Sequence, residues 1–252
     1  MLELYNFPMS TCSQKVRIVL AEKGLEWQDH RIVSGDHLKP EYLALNPNGV
    51  VPTLVHDGVP IIDSAVICEY LDEVFPQNSS TPPEAIGRAR MRAWLRYIEE
   101  VPTPAIRYPS FNRVLVRNLQ KMSREEFDRL ADKRPLRKHF YYRMGQTGFT
   151  KEYIDAAFED LRNACGRMEN ALGETGGPWI MGEQFTLVDV CLVPTIDRLD
   201  DLGYADMWQG SLPRVTEWWA RIRQRPSYKT SFYKGARFSD AYAAVMKETA
   251  SA

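Results

Sequence analysis

The fold of this chain is decided first by residues 2–24, LELYNFPMSTCSQKVRIVLAEKG. The pattern predicts a β-strand over Leu2 to Phe7 and an amphipathic helix over Ser13 to Lys23, with Gly24 ending that helix. The polar run Ser10-Thr11-Cys12-Ser13 stands at the junction. A helix N-terminus offers unpaired N–H groups and the positive end of a macrodipole, so a hydroxyl or thiol there can stabilise an anion. We expect that anion to be a thiolate.

The next fifty residues alternate between strand and helix patterns. The predicted elements are a strand over Glu26 to Val33, a short helix over Pro40 to Leu45, a strand entered through residues 46–55, a second strand over Val59 to Ile62 and a helix from Ser64. Asp57-Gly58 joins the last two strands as a hairpin turn. The order βαβαββα predicts a thioredoxin-like domain.

A polar, proline-rich run over Gln77 to Pro83 is the best candidate for a linker. Everything after it has helical spacing, which predicts an all-α domain. We therefore expect two domains, residues 1–80 and residues 86–252. Thr186-Leu187-Val188-Asp189 has the pattern of a capping box with Asp in place of Glu, which favours a structural role for Asp189.

Composition excludes several classes of protein. The 252 residues have a formal net charge of −1 and 44% hydrophobic content, so no overall field attracts nucleic acid or an anionic membrane. No secretory signal and no long apolar run are evident, which favours a cytoplasmic protein. Cys12, Cys68, Cys165 and Cys191 have no C-x-x-C spacing, so we expect no metal site. Cys12 alone lies in a polar, potentially reactive setting.

Several motifs in order resemble the soluble glutathione transferase family. They are residues 10–17 (STCSQKVR), 35–42 (GDHLKPEY), Val51-Pro52-Thr53-Leu54, Asp63-Ser64 and the Thr186/Asp189 cap. The resemblance spans nearly the whole chain. It implies glutathione as co-substrate, a homodimer, and a thioredoxin-like domain followed by an all-α domain that carries the site of the second substrate.

The resemblance also assigns the residue that activates the thiol. Ser10 and Ser13 hold the positions of the C-x-x-C pair of thioredoxins, so this chain cannot form an internal dithiol there. Ser10 falls at the position of the catalytic serine of theta-, delta- and zeta-like transferases, and it would donate a hydrogen bond to the glutathione sulfur. Such a bond to a charged group contributes about 1.5–3 kcal/mol. Cys12, which could form a mixed disulfide with glutathione, and Ser13 remain alternatives.

The remaining motifs imply a binding site for glutathione. By resemblance, the Val51–Pro52 bond is cis and turns Val51 toward the peptide, so that it pairs like a sheet edge. Asp63 and Ser64 open a helix whose N-terminus suits the γ-glutamyl carboxylate. His37, with Lys39 in the same loop, would meet the glycine carboxylate.

Residues 107–143 form a basic insert with eleven Lys or Arg against four acids. This insert is longer than the family's usual connection, and residues 121–127 (KMSREEF) resemble an insert of bacterial β-aryl etherases within the family. Some of its basic residues belong to a solvated helix face. We expect a transferase that acts on a small, aromatic electrophile by conjugation or β-aryl ether cleavage. The alternatives are a glutathione-binding protein with little catalysis and a zeta-like maleyl isomerase, which the pattern Ser-x-Cys-Ser favours.

Overall fold

The computed structural model describes residues 1–33, 35–243 and 246. Its sheet has four strands: β1 (Leu2–Asn6), β2 (Gln28–Arg31), β3 (Thr53–His56) and β4 (Val59–Ile62). Their order is β2-β1-β3-β4, with β1 parallel to β2 and the other neighbours antiparallel. The helices interleaved with these strands are α1 (Thr11–Glu22), α2 (Pro40–Leu45) and α3 (Ser64–Val74). The thioredoxin-like order βαβαββα is confirmed.

The largest differences from the predicted bounds are in β2 and α1. Strand β2 is shorter than predicted, because it pairs only with β1 and the register ends where Asn6 meets Arg31. Helix α1 begins two residues earlier than predicted, at Thr11. The reason is local: the Ser10 side chain accepts a hydrogen bond from the Ser13 N–H and so caps the helix from one residue further upstream.

The rest of the described chain is helical, as predicted. Its helices are α4 (Ala85–Glu100), α5 (Pro102–Ala105), α6 (Arg107–Val114), α7 (Val116–Leu119), α8 (Arg124–Asp132), α9 (Lys138–Met144), α10 (Lys151–Thr175), α11 (Leu187–Asp201), α12 (Pro213–Gln224), α13 (Pro226–Ser231) and α14 (Phe238–Ala241). Among the described residues, no helix is both long and apolar enough to cross a membrane.

Helix α1 joins the two parts, since it packs against α3 on one side and against α11 and α13 on the other. Its Lys15 is fully buried, where the ammonium group pairs with Glu99 and donates to Thr103 Oγ1 at 3.0 Å. Its Arg17 donates to Asn6 Oδ1 at 2.8 Å and to the Ser231 carbonyl at 3.2 Å. The two parts therefore share one continuous core.

The predicted linker is hydrogen-bonded to both parts of the molecule through Ser79 and Ser80. The buried Asp72 carboxylate accepts from the Ser80 N–H and the Ser79 hydroxyl, both at 2.9 Å, and pairs with Lys23 at 2.7 Å. On the other side, the Ser80 carbonyl accepts from the Leu187 N–H at 2.9 Å. Residues 77–83 therefore fix the position of α3 relative to α11 and do not act as a flexible linker.

The basic insert has a small core of its own. Leu119, Phe127, Ala131, Tyr141, Met144 and Phe149 form a buried cluster separate from the main core. Helix α8 within it starts with a capping box, in which Ser123 and Glu126 bond each other's backbone N–H. The insert therefore packs around its own small core within the helical domain, and this explains its length.

Candidate active site

Ser10 stands at the N-terminus of α1, facing a cavity between the two domains. Its Oγ accepts a hydrogen bond from the Ser13 N–H at 3.2 Å. A serine hydroxyl is both acceptor and donor, so the Ser10 proton stays available for a ligand atom in the cavity. The hydroxyl and the helix N-terminus together form a place for an anion.

The two alternative residues lie in different settings. Cys12 lines the cavity and is a free thiol, partly exposed. Ser13 is fully buried, and its Oγ accepts from the Phe7 N–H at 3.3 Å, behind the helix end. Thr11 also lines the cavity beside Ser10. Ser10, Thr11 and Cys12 thus face the ligand space, whereas Ser13 supports the turn that presents them.

The Val51–Pro52 peptide bond is cis, as predicted, and Val51 lines the cavity. The loop before it is held by the preceding carbonyl, Val50 O, which accepts from Tyr42 Oη at 2.6 Å and Asn46 Nδ2 at 2.9 Å. Burial raises the pKa of Tyr42 to about 12, so its hydroxyl keeps its proton and remains a donor. The loop is therefore fixed before any ligand arrives.

Helix α3 begins at Ser64, as predicted, and Asp63 is its cap. The Asp63 Oδ1 atom accepts from the N–H groups of Ala65 at 2.9 Å and Val66 at 3.1 Å. Asp63 is exposed and has φ +72°, while Ser64 is buried. The pair lies outside the cavity lining, as does Pro52. A peptide that reached from Val51 to Ser64 would extend along the domain surface.

His37 and Lys39 are separated by the structure. His37 lies in the 3-10 turn Asp36–Leu38 and lines the cavity. Burial lowers its pKa, and the nearby charges of Arg134 and Arg137 lower it further. Lys39 is exposed and forms an ion pair with Asp36 at 2.6 Å, outside the cavity lining. His37 is therefore positioned to contact a ligand, whereas Lys39 already has an acidic partner.

The cavity has a volume of about 420 Å³, in the range of small-molecule sites. The helical domain contributes most of its apolar lining residues. The apolar and aromatic side chains that line it from that domain are Ile106, Phe111, Val114, Leu115, Leu119, Met122, Leu130, Tyr141, Phe238 and Tyr242. Sequence reasoning did not single these out, because α6, α9 and α14 are far apart along the chain and no local pattern marks one shared surface.

Four arginines also line the cavity: Arg107, Arg134, Arg137 and Arg198. Arg198 is buried, donates to the Met9 carbonyl, and holds its guanidinium carbon 3.6 Å from the centre of the Phe238 ring. The other three belong to the basic insert. Of the eleven basic residues there, the structure exposes Arg117, Lys121, Arg124, Arg129, Lys133, Lys138 and Arg143 to solvent. Apart from Arg113, which donates to the Met246 carbonyl, the insert's charge therefore divides into a solvated face and a group directed at the cavity.

Two family descriptions match this chain. Residues 4–79 match "Glutathione S-transferase, N-terminal domain" and residues 151–221 match "Glutathione S-transferase, C-terminal domain". Protein LigF of a Sphingobium species is 32% identical over 248 residues, which cover 94% of this chain and 95% of LigF. Maleylacetoacetate isomerase of Pseudomonas aeruginosa is 30% identical over 220 residues, covering 85% of this chain and 87% of the isomerase.

The solved structures agree with the sequence relatives. The crystal structure of the β-etherase LigF superposes with a TM-score of 0.83 at 30% identity, covering 92% of this chain and 98% of LigF. The chain thus belongs to the glutathione S-transferase family. It is a glutathione transferase, and glutathione is its co-substrate.

Proposed function

We propose that this transferase stabilises the glutathione thiolate at Ser10 and directs it onto a small aromatic electrophile, by conjugation or by β-aryl ether cleavage. Residues 1–80 bind glutathione, and residues 86–252 provide the electrophile site. The position of the Ser10 hydroxyl carries the proposal. It caps α1, keeps its proton available, and opens onto an apolar cavity walled by the helical domain.

The ether reaction is a displacement. The thiolate sulfur bonds to the carbon that carries the aryloxy group, and the bond from that carbon to the ether oxygen breaks. The electron pair leaves with the oxygen as a phenolate, which then takes a proton from water. In conjugation to an aryl halide the sulfur replaces the halide in the same way. Similarity to the β-etherase LigF supports the ether reaction for this chain.

Two effects stabilise the thiolate. A hydrogen bond to a charged sulfur contributes about 1.5–3 kcal/mol, and a helix N-terminus contributes about 0.3–1 kcal/mol. Because one pKa unit corresponds to about 1.36 kcal/mol, together they lower the pKa of the bound thiol by about one to three units. Ser10 supplies the larger effect. Cys12 and Ser13 are the alternative groups at this helix end.

Glutathione itself would lie across the exposed edge of the thioredoxin-like domain. Its γ-glutamyl carboxylate would meet Ser64 and the α3 N-terminus capped by Asp63, and its backbone would pair with Val51 beside Pro52. Its glycine carboxylate would meet His37, with Lys39 at the outer edge. The fixed Val50 carbonyl and the Asp63 cap support this arrangement, since both preorganise backbone groups for a peptide.

The test compares Ser10→Ala with Cys12→Ala. The thiolate absorbance of the glutathione complex is followed across pH, together with the rate on an activated aryl halide. We expect Ser10→Ala to raise the pKa of bound glutathione and to cost about 10- to 100-fold in rate. Cys12→Ala should leave both values nearly unchanged. A pKa shift in Cys12→Ala without one in Ser10→Ala would reverse the assignment, and no shift in either would redirect attention to Ser13 and the backbone donors.

A maleyl isomerase is the second candidate function. It is favoured by the 30% identity to maleylacetoacetate isomerase over most of both chains and by the pattern Ser10-x-Cys12-Ser13. Here glutathione would add to a double bond and leave again after rotation, so that no net conjugate accumulates. A panel of aryl ethers, halogenated arenes and maleyl acids separates the functions, since only the isomerase returns all glutathione as free thiol.

We also propose that the transferase is a C₂ homodimer in the cytoplasm. Val66 and Val74 on α3 and Ile86 at the start of α4 are exposed apolar side chains, and an ion pair between Arg92 and Glu69 joins the same two helices. Free thiols at all four cysteines suit a reducing compartment. Light scattering should give twice the chain mass of 29.0 kDa, and cell fractionation should recover the protein with cytoplasmic markers.

A further inference from the structure

The arginines of the cavity exceed what glutathione needs. The lining contains four arginines and no Asp or Glu among the described residues. Bound glutathione supplies two negative charges there, its thiolate and its glycine carboxylate, while its γ-glutamyl end lies outside the cavity in the arrangement proposed above. The lining therefore carries more positive charge than glutathione alone balances.

Two of the four arginines are held by contacts within the cavity wall. Arg198 is fixed by the Met9 carbonyl and the Phe238 ring. Arg134 donates to the Leu130 carbonyl and lies 4.2 Å above the Tyr141 ring. Arg134 is thus held by neutral partners in the wall, and Arg198 in addition lies near the carboxylates of Asp197 and Asp201.

Among the described residues, no contact of this kind holds Arg107 or Arg137. In residues 1–33, 35–243 and 246, no acidic side chain forms an ion pair with either. Both are partly buried and line the cavity. Burial lowers the pKa of Arg137 to about 10, and the like charges of Arg107 and Arg134 act in the same direction. Partial burial of two like charges in one cavity costs free energy unless an anion binds to them.

The position of the pair points to the second substrate. Arg137 lines the same cavity as Ser10 and Cys12, so it faces the space into which the bound thiol projects. Arg107 begins α6, the helix whose Ser110, Phe111 and Val114 line the apolar part of the cavity. An aromatic ring in this cavity would therefore lie among apolar side chains, with both guanidinium groups in the same lining.

We propose that the electrophile of this enzyme is an aromatic acid, and that Arg107 and Arg137 bind its carboxylate on the helical side of the cavity. The inference rests on the proposed transferase function and specifies its substrate class. Guanidinium groups suit this role because they bind carboxylates through paired, charge-assisted hydrogen bonds. Arg107 and Arg137 orient the substrate and take no part in bond breaking.

A matched pair of electrophiles tests the proposal. In 4-chloro-3,5-dinitrobenzoate and its methyl ester, the thiolate replaces the same chloride, but only the first carries a carboxylate. Because an ester activates the ring more than a carboxylate does, each kcat/KM is divided by the rate of the uncatalysed reaction with glutathione. We expect this ratio to favour the acid by at least about 10-fold in the parent enzyme. Arg107→Gln and Arg137→Gln should each remove most of this preference by lowering kcat/KM for the acid much more than for the ester. Raising the ionic strength should weaken the preference in the parent.

Arg129→Gln is the control, since Arg129 is an exposed arginine of the same insert and lies outside the cavity lining. It should behave like the parent. Equal ratios of kcat/KM to the uncatalysed rate for acid and ester would overturn the proposal, as would an equal effect of Arg129→Gln. A raised KM for glutathione in Arg137→Gln, the same with both electrophiles, would assign the charge to the glycine carboxylate and also overturn it.

A binding measurement separates this inference from the proposed function. Calorimetry with the two preformed glutathione conjugates, acid and ester, needs no turnover. If the enzyme turns over neither electrophile but binds the acid conjugate about 10-fold more tightly in an Arg137-dependent way, the transferase mechanism fails and the carboxylate site stands. If both conjugates bind equally, the carboxylate site fails whatever the catalytic result.

Discussion

The two walls of the cavity are built on different principles. The thioredoxin-like wall presents main-chain groups and short polar side chains, held by local hydrogen bonds such as Ser10 to Ser13 and Tyr42 to Val50. The helical wall presents aromatic rings and arginines from helices far apart in the chain. The first wall suits a peptide, whose backbone is always the same. The side chains of the second wall determine which molecule fits there, so this wall selects the second substrate.

The largest expected effect is a loss of folding stability that affects both walls. The buried Asp189 carboxylate accepts from the Ile180 and Thr186 N–H groups, both at 3.0 Å, and from Trp218 Nε1 at 2.9 Å. Asp189→Ala leaves these buried donors without an acceptor, each costing about 1–3 kcal/mol. We expect urea unfolding to show a loss of about 3–5 kcal/mol, with a smaller loss for Asp189→Asn. A loss below about 1 kcal/mol in Asp189→Ala would mean that water or relaxation replaces the carboxylate.

A second change should disrupt the structure of the helical wall alone. Phe127 is the buried centre of the insert's own core, and a Phe→Ala change in a core costs about 3–5 kcal/mol. We expect Phe127→Ala to speed hydrogen exchange in residues 107–149 and to raise the KM for the electrophile, with glutathione affinity unchanged. Leu54→Ala in the sheet core is the matched control and should reduce glutathione affinity instead. If Phe127→Ala weakens glutathione binding as strongly, the walls are not independent.

A third change should affect the thioredoxin-like wall alone. Ser64→Ala removes the hydroxyl proposed to meet the γ-glutamyl carboxylate while leaving the Asp63 cap in place. We expect about a 10-fold loss of glutathione affinity by calorimetry, since a hydrogen bond to a charged group is worth about 1.5–3 kcal/mol. Affinity for the electrophile should not change. Parent-like glutathione binding would show that the γ-glutamyl contact is made elsewhere.

The smallest expected effect measures how the walls influence each other. His37 stands on the thioredoxin-like wall, yet charges from Arg134 and Arg137 on the other wall add to burial in lowering its pKa. Arg137→Gln removes one of those charges, so the pKa of His37 should rise toward its ordinary value. NMR titration of the ring protons, assigned with His37→Gln, follows this change. Arg129→Gln should leave the pKa in place, and an unchanged value in Arg137→Gln would mean that burial alone controls His37.

Most of the thioredoxin-like wall could be predicted because its signals are local. Strand and helix periodicity, the Asp57-Gly58 turn and the run at Ser10 each involve neighbours in the chain, and family resemblance added the cis bond before Pro52. The bounds of β2 could not be predicted, since the length of a paired strand depends on where its partner β1 ends. The burial of Ser13 behind the helix end likewise depends on the turn from Phe7.

The sequence by itself determined the family, the order of the elements, the anion-stabilising helix end and the excess of basic residues in the insert. Only the tertiary structure decided which of those basic residues are solvated and which face the ligand, and that Arg198, Phe238 and Tyr242 complete the cavity. The reason is physical. Backbone propensity and capping act over a few residues, whereas a cavity wall is formed by side chains whose proximity comes from long-range packing of α6, α9, α11 and α14.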